Sequence, residues 1–186
     1  MKVMDDIYRH VDAGSAVALV ALDISAAFDA VDHAILLEQL KTKFGLDELP
    51  LQWIASYLSG RTSVVRVCAS SSAVVVNTTD VPHGSVLEPI LFTSYVASVG
   101  RLISSFGVGY HKYADDTQLC TALTAPLQTA MDRLDRCSSE LQLWFWRNDL
   151  LLNPDKSDIV FFGTRQRLRQ RNLSVTVSVT VCCYSV

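Results

Sequence analysis

The stretch SAVALVALD at residues 15–23 constrains the fold more than any other. It is a continuous apolar run closed by an acid. An alternating pattern would mark a strand with one wet face, and helical spacing would leave polar gaps. A short run with neither has the form of a buried strand. The acid at its end, Asp23, costs desolvation energy there unless it is solvated, paired or bound to a cation.

The other elements read around that strand. Ser25 is placed to cap a helix over SAAFDAVDHAILLEQLKTKFG, with Ala27, Val31, Leu36, Leu37 and Leu40 at roughly helical spacing and Gly45 as its stop. A second helix, PLQWIASYLSG, ends at Gly60. The β-branched runs SVVRVCA and AVVVNTTDV flank a polar SSS turn, which predicts an antiparallel hairpin. After Pro82-His83-Gly84-Ser85 a long helix runs to about Ser105. Residues 107–123 read as a second hairpin, with Ala114-Asp115-Asp116-Thr117 at its turn. Residues 127–143 are amphipathic, and SDIVFFGT, after Asn153-Pro154-Asp155, is a further strand. Arg165, Arg167, Arg169 and Arg171 then alternate as a basic stripe, ahead of the strand-prone tail LSVTVSVTVCCYSV, which has no evident partner in the sequence.

Composition narrows the class. Of 186 residues, 49% are hydrophobic and 19% charged, so the chain can bury a core and is not a disordered segment. The net charge of −3 lacks the basic excess of a complete nucleic-acid-binding machine, yet suits a chain carrying acidic metal ligands. Five cysteines without a CxxC or a zinc-spaced His pair read as reduced thiols. The charged start MKVMDDIYRHVDAG lacks a secretory h-region, and the apolar stretch from Val86 to Phe106 is interrupted by Glu88, Pro89 and Arg101. An intracellular chain, in cytoplasm or nucleus and without a membrane partner, is expected.

Asp23 at a strand end and Asp115-Asp116 at a hairpin turn are the carboxylates that could carry chemistry. Side by side they would offer the oxygen ligands a Mg²⁺ ion takes. Two such ions about 3.5–4 Å apart activate a hydroxyl and stabilise a leaving pyrophosphate. Taken singly, Asp115-Asp116 is also ordinary turn chemistry and Asp23 an ordinary helix cap. The wording around them decides between these. Asp23 lies in LDISAAFDAVDH, Asp115-Asp116 in KYADDTQL, VPHGSVLEPILF stands between, and NDLLLNPDKSDIVFFG follows. In this order the four segments resemble the palm motifs of reverse transcriptases, specifically those of non-LTR (LINE-type) retrotransposons, over about residues 15–165.

The resemblance implies a fold and a set of roles. The fold would be α+β, an antiparallel sheet with helices on one face, a polymerase palm of the ferredoxin-like kind. Asp23, Asp115 and Asp116 would bind two Mg²⁺ ions, with Mn²⁺ as an alternative, and Asp115 would be the firmer ligand of the pair. Phe28, five residues after Asp23, would be the steric gate against a ribose 2′-hydroxyl; a ring there is also good core filler. The backbone of Ile24, Ser25, Ala26 and Ala27 would cradle the triphosphate. Tyr113 would sit near the primer end, or simply pack in its hairpin.

His83 and Gly84 would contact the nucleotide, with Ser85 beside them. Lys156 resembles the lysine that protonates pyrophosphate, although a turn lysine is ordinary. Arg61, like the later arginine stripe, would touch nucleic acid or stand in solvent. The sequence departs from the family pattern twice: His83 replaces a Gln, and Glu88 replaces a Gly. Glu88 brings bulk and negative charge close to where template backbone should run.

The expected function is therefore an RNA-directed DNA polymerase domain, joining deoxynucleoside triphosphates to a DNA primer on an RNA template. Only 22 residues precede Asp23 and 23 follow Gly163, so a fragment lacking most of the fingers and thumb is expected. Residues 1–14 would be a remnant of fingers or linker, 15–165 the palm, and 166–186 a tail that is no domain. The alternatives are a catalytically inactive retrotransposon-derived remnant and a nucleic-acid-binding module. Oligomeric state is not legible.

Overall fold

The computed structural model describes residues 2–124 and 126–170, and the backbone of Val177 and Ser178. The apolar run forms β1 (Ala16–Leu22), with Ala16, Val17, Ala18, Val20 and Leu22 all buried. It is central in a sheet of five strands. β8 (Asp116–Leu123) flanks it on one side and β10 (Asp158–Phe162) on the other. β7 (Gly109–Tyr113) lies beyond β8, and β11 (Val177–Ser178) beyond β10. Every pairing in this sheet is antiparallel.

Alternation assigns the faces. Leu22, Val20 and Ala18 stand across from Thr117, Leu119 and Thr121. This face is completed by α5 (Val99–Ser105) and α6 (Leu127–Arg147): Gly100 of α5 meets the Tyr110 ring, and α6 packs on β8. The buried stripe of α6, Ala130, Leu134, Cys137, Leu141 and Phe145, has the spacing of one helical face. Val17 and Cys120 point the other way, where Ile7 joins them in a cluster with Val3, Met4 and Val11. Those residues belong to α1 (Lys2–Asp12). The segment expected as a remnant of fingers or linker contributes a helix to the sheet's second face, in addition to the expected helices on the first.

This sheet and its helices make one compact unit, Met1–Ser25 with Ser98–Val186; residues Ala26–Ala97 make a second. In the second, α2 (His33–Phe44), α3 (Glu48–Leu58) and α4 (Glu88–Tyr95) pack together, α2 against both others. The predicted hairpin is present but interrupted, and its turn falls at Cys68–Ala69 rather than at the serines, two of which are in a strand. β3 (Thr62–Ser63) pairs with β6 (Val75–Val76), and β4 (Arg66–Val67) pairs with β5 (Ser70–Ser71).

Four expectations change. Ser25 does not cap a helix. Ile24–Ser25 is β2, paired with β9 (Leu151–Leu152), and the helix starts eight residues later behind Asp32, whose Oδ1 accepts the Ile35 N–H at 2.8 Å. The long helix to Ser105 is two helices, α4 and α5. The arginine stripe is α7 (Arg165–Gln170), a helix that spreads its charges around. Within it Arg167 Nη1 donates to the Val11 carbonyl at 3.3 Å, at the last turn of α1. The tail does find a partner at β11, which pairs with β10. Residues 171–176 and 179–186, with Arg171, Cys182 and Cys183, lie outside the described residues. Cys68, Cys120 and Cys137 are free. Among the described residues no helix is long and apolar enough to cross a membrane.

Candidate active site

The register brings the backbone of the two acidic motifs to the same end of neighbouring strands. The β1–β8 ladder ends on Leu22 paired with Thr117. Asp23 follows Leu22, and Asp116 precedes Thr117. Continued by one residue, the ladder sets Asp23 across from Asp116. On the far side Asp116 pairs with Tyr113, leaving Ala114 and Asp115 as a two-residue turn. Ala114 holds a left-handed φ of 53°, a conformation that costs a residue with a Cβ about 1 kcal/mol and that closes tight hairpins. Tyr113 is 83% exposed, so it does not serve as packing in its hairpin.

Asp23 itself belongs to no ladder: β1 ends before it and β2 begins after it. Its backbone groups are satisfied elsewhere, as buried peptide groups must be. The Asn153 N–H donates to the Asp23 carbonyl at 2.9 Å. The Asp23 N–H donates to Ser157 Oγ at 3.2 Å, and that hydroxyl donates to the Asn153 carbonyl at 2.7 Å. Both partners come from the NPDKS segment, a 3₁₀ turn over Pro154–Lys156 in which Asn153 Oδ1 accepts the Asp155 N–H at 3.1 Å. Lys156 is exposed on that turn.

Asp23 and Asp115 are half-buried and Asp116 is exposed. Among the described residues none of the three has an ion-pair or side-chain hydrogen-bond partner. Three carboxylates at one end of a sheet repel one another, and a divalent cation would relieve that repulsion. The donor set is of the hard-oxygen kind that magnesium takes. The side chains are not gathered: among the described residues no three His, Cys, Asp or Glu form a group that could hold an ion. Beside them on β7, Lys112 is half-buried, and burial pushes its ammonium down to about 8.

The remaining motif residues lie in the second unit. Ala26 opens a tight turn at φ 46°, its carbonyl accepting the N–H groups of Asp29 and Ala30. Ala27 is buried. The half-buried Phe28 ring packs 4.7 Å from Phe92 and edge-on to His83 at 6.4 Å, centroid to centroid. Its loop is stitched down: the Val81 N–H donates to the Phe28 carbonyl and the Asp80 N–H to the Val31 carbonyl, each at 3.1 Å.

Asp80 in turn holds Arg61 at 3.5 Å and accepts from Asn77 at 2.8 Å. The Arg61 guanidinium therefore faces a carboxylate. Gly84, at φ 74°, supplies a left-handed turn with open space where a Cβ would stand. Its N–H is taken by Glu88 Oε2 at 2.6 Å, while Glu88 Oε1 lies 2.7 Å from His83 Nδ1 and Ser85 Oγ accepts the Glu88 N–H at 3.1 Å.

Sequence reasoning missed Asn153 and Ser157 as partners of Asp23. In sequence NPDKS reads as a turn before a strand and as the carrier of a lysine. It also missed that His83 and Glu88, two departures read separately, touch each other; their spacing of five residues around a glycine turn was the available signal.

The chain matches the family described as reverse transcriptase (RNA-dependent DNA polymerase) over residues 2–178. It is 30% identical over 169 residues to the probable RNA-directed DNA polymerase from transposon X-element of Drosophila melanogaster, covering 89% of this chain and 18% of that protein. It is 32% identical over 146 residues to the RNA-directed DNA polymerase from mobile element jockey of Drosophila funebris, covering 76% of this chain and 16% of that one. The chain thus spans less than a fifth of the length of these curated relatives. Its fold is shared with the telomerase of Candida albicans, solved with a fragment of telomeric RNA (TM-score 0.63, 14% identity, 86% of this chain and 30% of that one). It is shared too with apo telomerase of Candida tropicalis (TM-score 0.61, 15% identity, 87% and 34%).

Proposed function

The chain belongs to the reverse transcriptase family, and from that premise we propose that its residues are those of an RNA-directed DNA polymerase site. The reaction would join a deoxynucleoside triphosphate to a DNA primer on an RNA template, releasing pyrophosphate. The observation that carries this is the register that ends on Leu22–Thr117, with Asp23 and Asp116 next on either strand. RNA as the template class agrees with the names of the transposon relatives.

Asp23, Asp115 and Asp116 would hold the divalent cations, two Mg²⁺ ions or Mn²⁺ in their place. Bound cations supply charge stabilisation and a more acidic primer hydroxyl. The chain's own residues do the rest. Ile24, Ser25, Ala26 and Ala27 offer backbone to the triphosphate. Phe28 presents a ring held from behind by Phe92 and so resists displacement by a 2′-hydroxyl. His83 and Gly84, with Ser85, form the turn over which a nucleotide can lie. Tyr113 offers an exposed ring for primer stacking. Lys156 can give a proton to the departing pyrophosphate, and Arg61 orders the loop that carries Phe28. Residues 15–165 would constitute the palm.

A second reading, a catalytically inactive remnant, is favoured by Glu88. Its carboxylate occupies the Gly84 N–H and puts negative charge on the loop a nucleotide would approach.

Primer extension on an RNA template with Mg²⁺ and deoxynucleotides separates the two. Extension by the folded chain that an Asp115→Asn, Asp116→Asn double variant loses supports the polymerase. Absence of extension from the folded chain supports the remnant.

A further inference from the structure

We propose that Ser157 is the positioning residue for Asp23, and that its hydroxyl is what ties the Lys156 turn to the catalytic strand end. The inference rests on the polymerase reading above only for the word catalytic; the clamp itself stands on geometry.

The argument starts from backbone accounting. A strand that leaves one sheet to pair elsewhere exposes the peptide groups at its crossing point. Here the crossing point is Asp23, between β1, paired with β8 and β10, and β2, paired with β9. The strands facing it, β9 and β10, read as one strand interrupted opposite Asp23 by residues 153–157. That interruption supplies the missing partners. Asn153 and Ser157 close a ring of hydrogen bonds around the Asp23 peptide groups, at 2.7 to 3.2 Å, with Ser157 itself only 3% exposed. A hydroxyl can close this ring because it accepts from one group while donating to another. Alanine can do neither. Cysteine offers a longer, weaker donor.

Two consequences follow. The Asp23 side chain leaves a main chain pinned on both sides, so its Cα–Cβ direction is set before any cation arrives. Lys156, next in sequence to Ser157, is held within the same turn. The residue read as proton donor and the residue read as cation ligand therefore move together, although 133 positions separate them. Ser157 touches neither substrate nor cation in this account; it acts through Asp23.

The test compares Ser157→Ala and Ser157→Thr with the parent chain. Thermal melting and circular dichroism establish that each is folded. Amide hydrogen exchange then reads the Asp23 N–H, and Mn²⁺ affinity is read by electron paramagnetic resonance. Ser157→Ala should exchange the Asp23 amide at least about tenfold faster and bind Mn²⁺ about tenfold more weakly, the usual scale for losing a group behind a metal ligand. Ser157→Thr, which keeps the hydroxyl, should restore both.

Parent-like exchange in a folded Ser157→Ala chain overturns the clamp. Parent-like Mn²⁺ affinity with fast exchange overturns the positioning role while leaving the hydrogen bond. If Mn²⁺ binding by the parent does not depend on Asp23, the metal reading falls and the exchange result alone decides the clamp. If Ser157→Ala does not fold, Ser157→Cys takes its place with the same expected direction and the same contradicting result.

Discussion

His83 Nδ1 lies 2.7 Å from Glu88 Oε1, so the two positions at which this sequence departs from the family pattern are bonded to one another. Glu88 is 8% exposed, yet its other oxygen accepts the Gly84 N–H, so the carboxylate is hydrogen-bonded rather than stranded. The departures act as a unit that fixes the turn Gly84 makes.

That unit has a measurable coupling. A double-mutant cycle of His83→Ala and Glu88→Ala, read by urea unfolding, should give about 0.5–1 kcal/mol, because the imidazole is largely solvated and the carboxylate is not. Additive single effects would show that the pair does not hold the turn.

Lys112 gives a pH prediction. Burial lowers its folded value to about 8 from 10.5, so between those values the unfolded chain binds the proton and the folded chain does not. Stability from this group therefore rises with pH through that window, and below about 8 the buried charge weighs against folding. Lys112→Met should be more stable than the parent at pH 7, with the gap closing toward pH 10.5. Denaturation at pH 7 and pH 10 reads this, and a gap that does not change with pH would contradict it.

Phe28 should govern sugar choice. Its ring is backed by Phe92 at 4.7 Å, so a ribose hydroxyl cannot push it aside cheaply. In primer extension, Phe28→Val should raise ribonucleotide use relative to deoxynucleotide use by about tenfold or more, the range a single steric contact commands. An unchanged ratio would return Phe28 to the role of core filler.

The parts of this fold that were legible are those where sequence pattern and burial agree locally. The run ending at Asp23 could only be a buried strand, and the Leu127 to Leu143 pattern could only be an amphipathic helix. Ser25 misled because a cap is judged from local spacing, whereas Ile24–Ser25 is claimed by Leu151–Leu152 from far along the chain. Asp32, inside the stretch read as helix, is the residue whose side chain caps it. The break between α4 and α5 carries neither Gly nor Pro inside residues 96–98, so nothing local announced it. In α1 the helical spacing of Val3, Met4, Ile7 and Val11 is set among charged residues that mask the stripe in sequence. At the site, the carboxylates were legible as words, while the Ser157 clamp was not, since it exists only between segments 134 residues apart.

The most direct test of the central claim is a Mn²⁺ titration of the folded chain, followed by electron paramagnetic resonance, with Asp23→Asn and Asp115→Asn beside the parent. If the end of β1 and the β7–β8 turn share cations, each single change weakens binding at least about tenfold, since each removes one anionic oxygen ligand of a hard cation. Binding that survives Asp23→Asn unchanged while Asp115→Asn abolishes it would mean that the hairpin turn acts alone, and the shared site across β1 and β8 would be wrong.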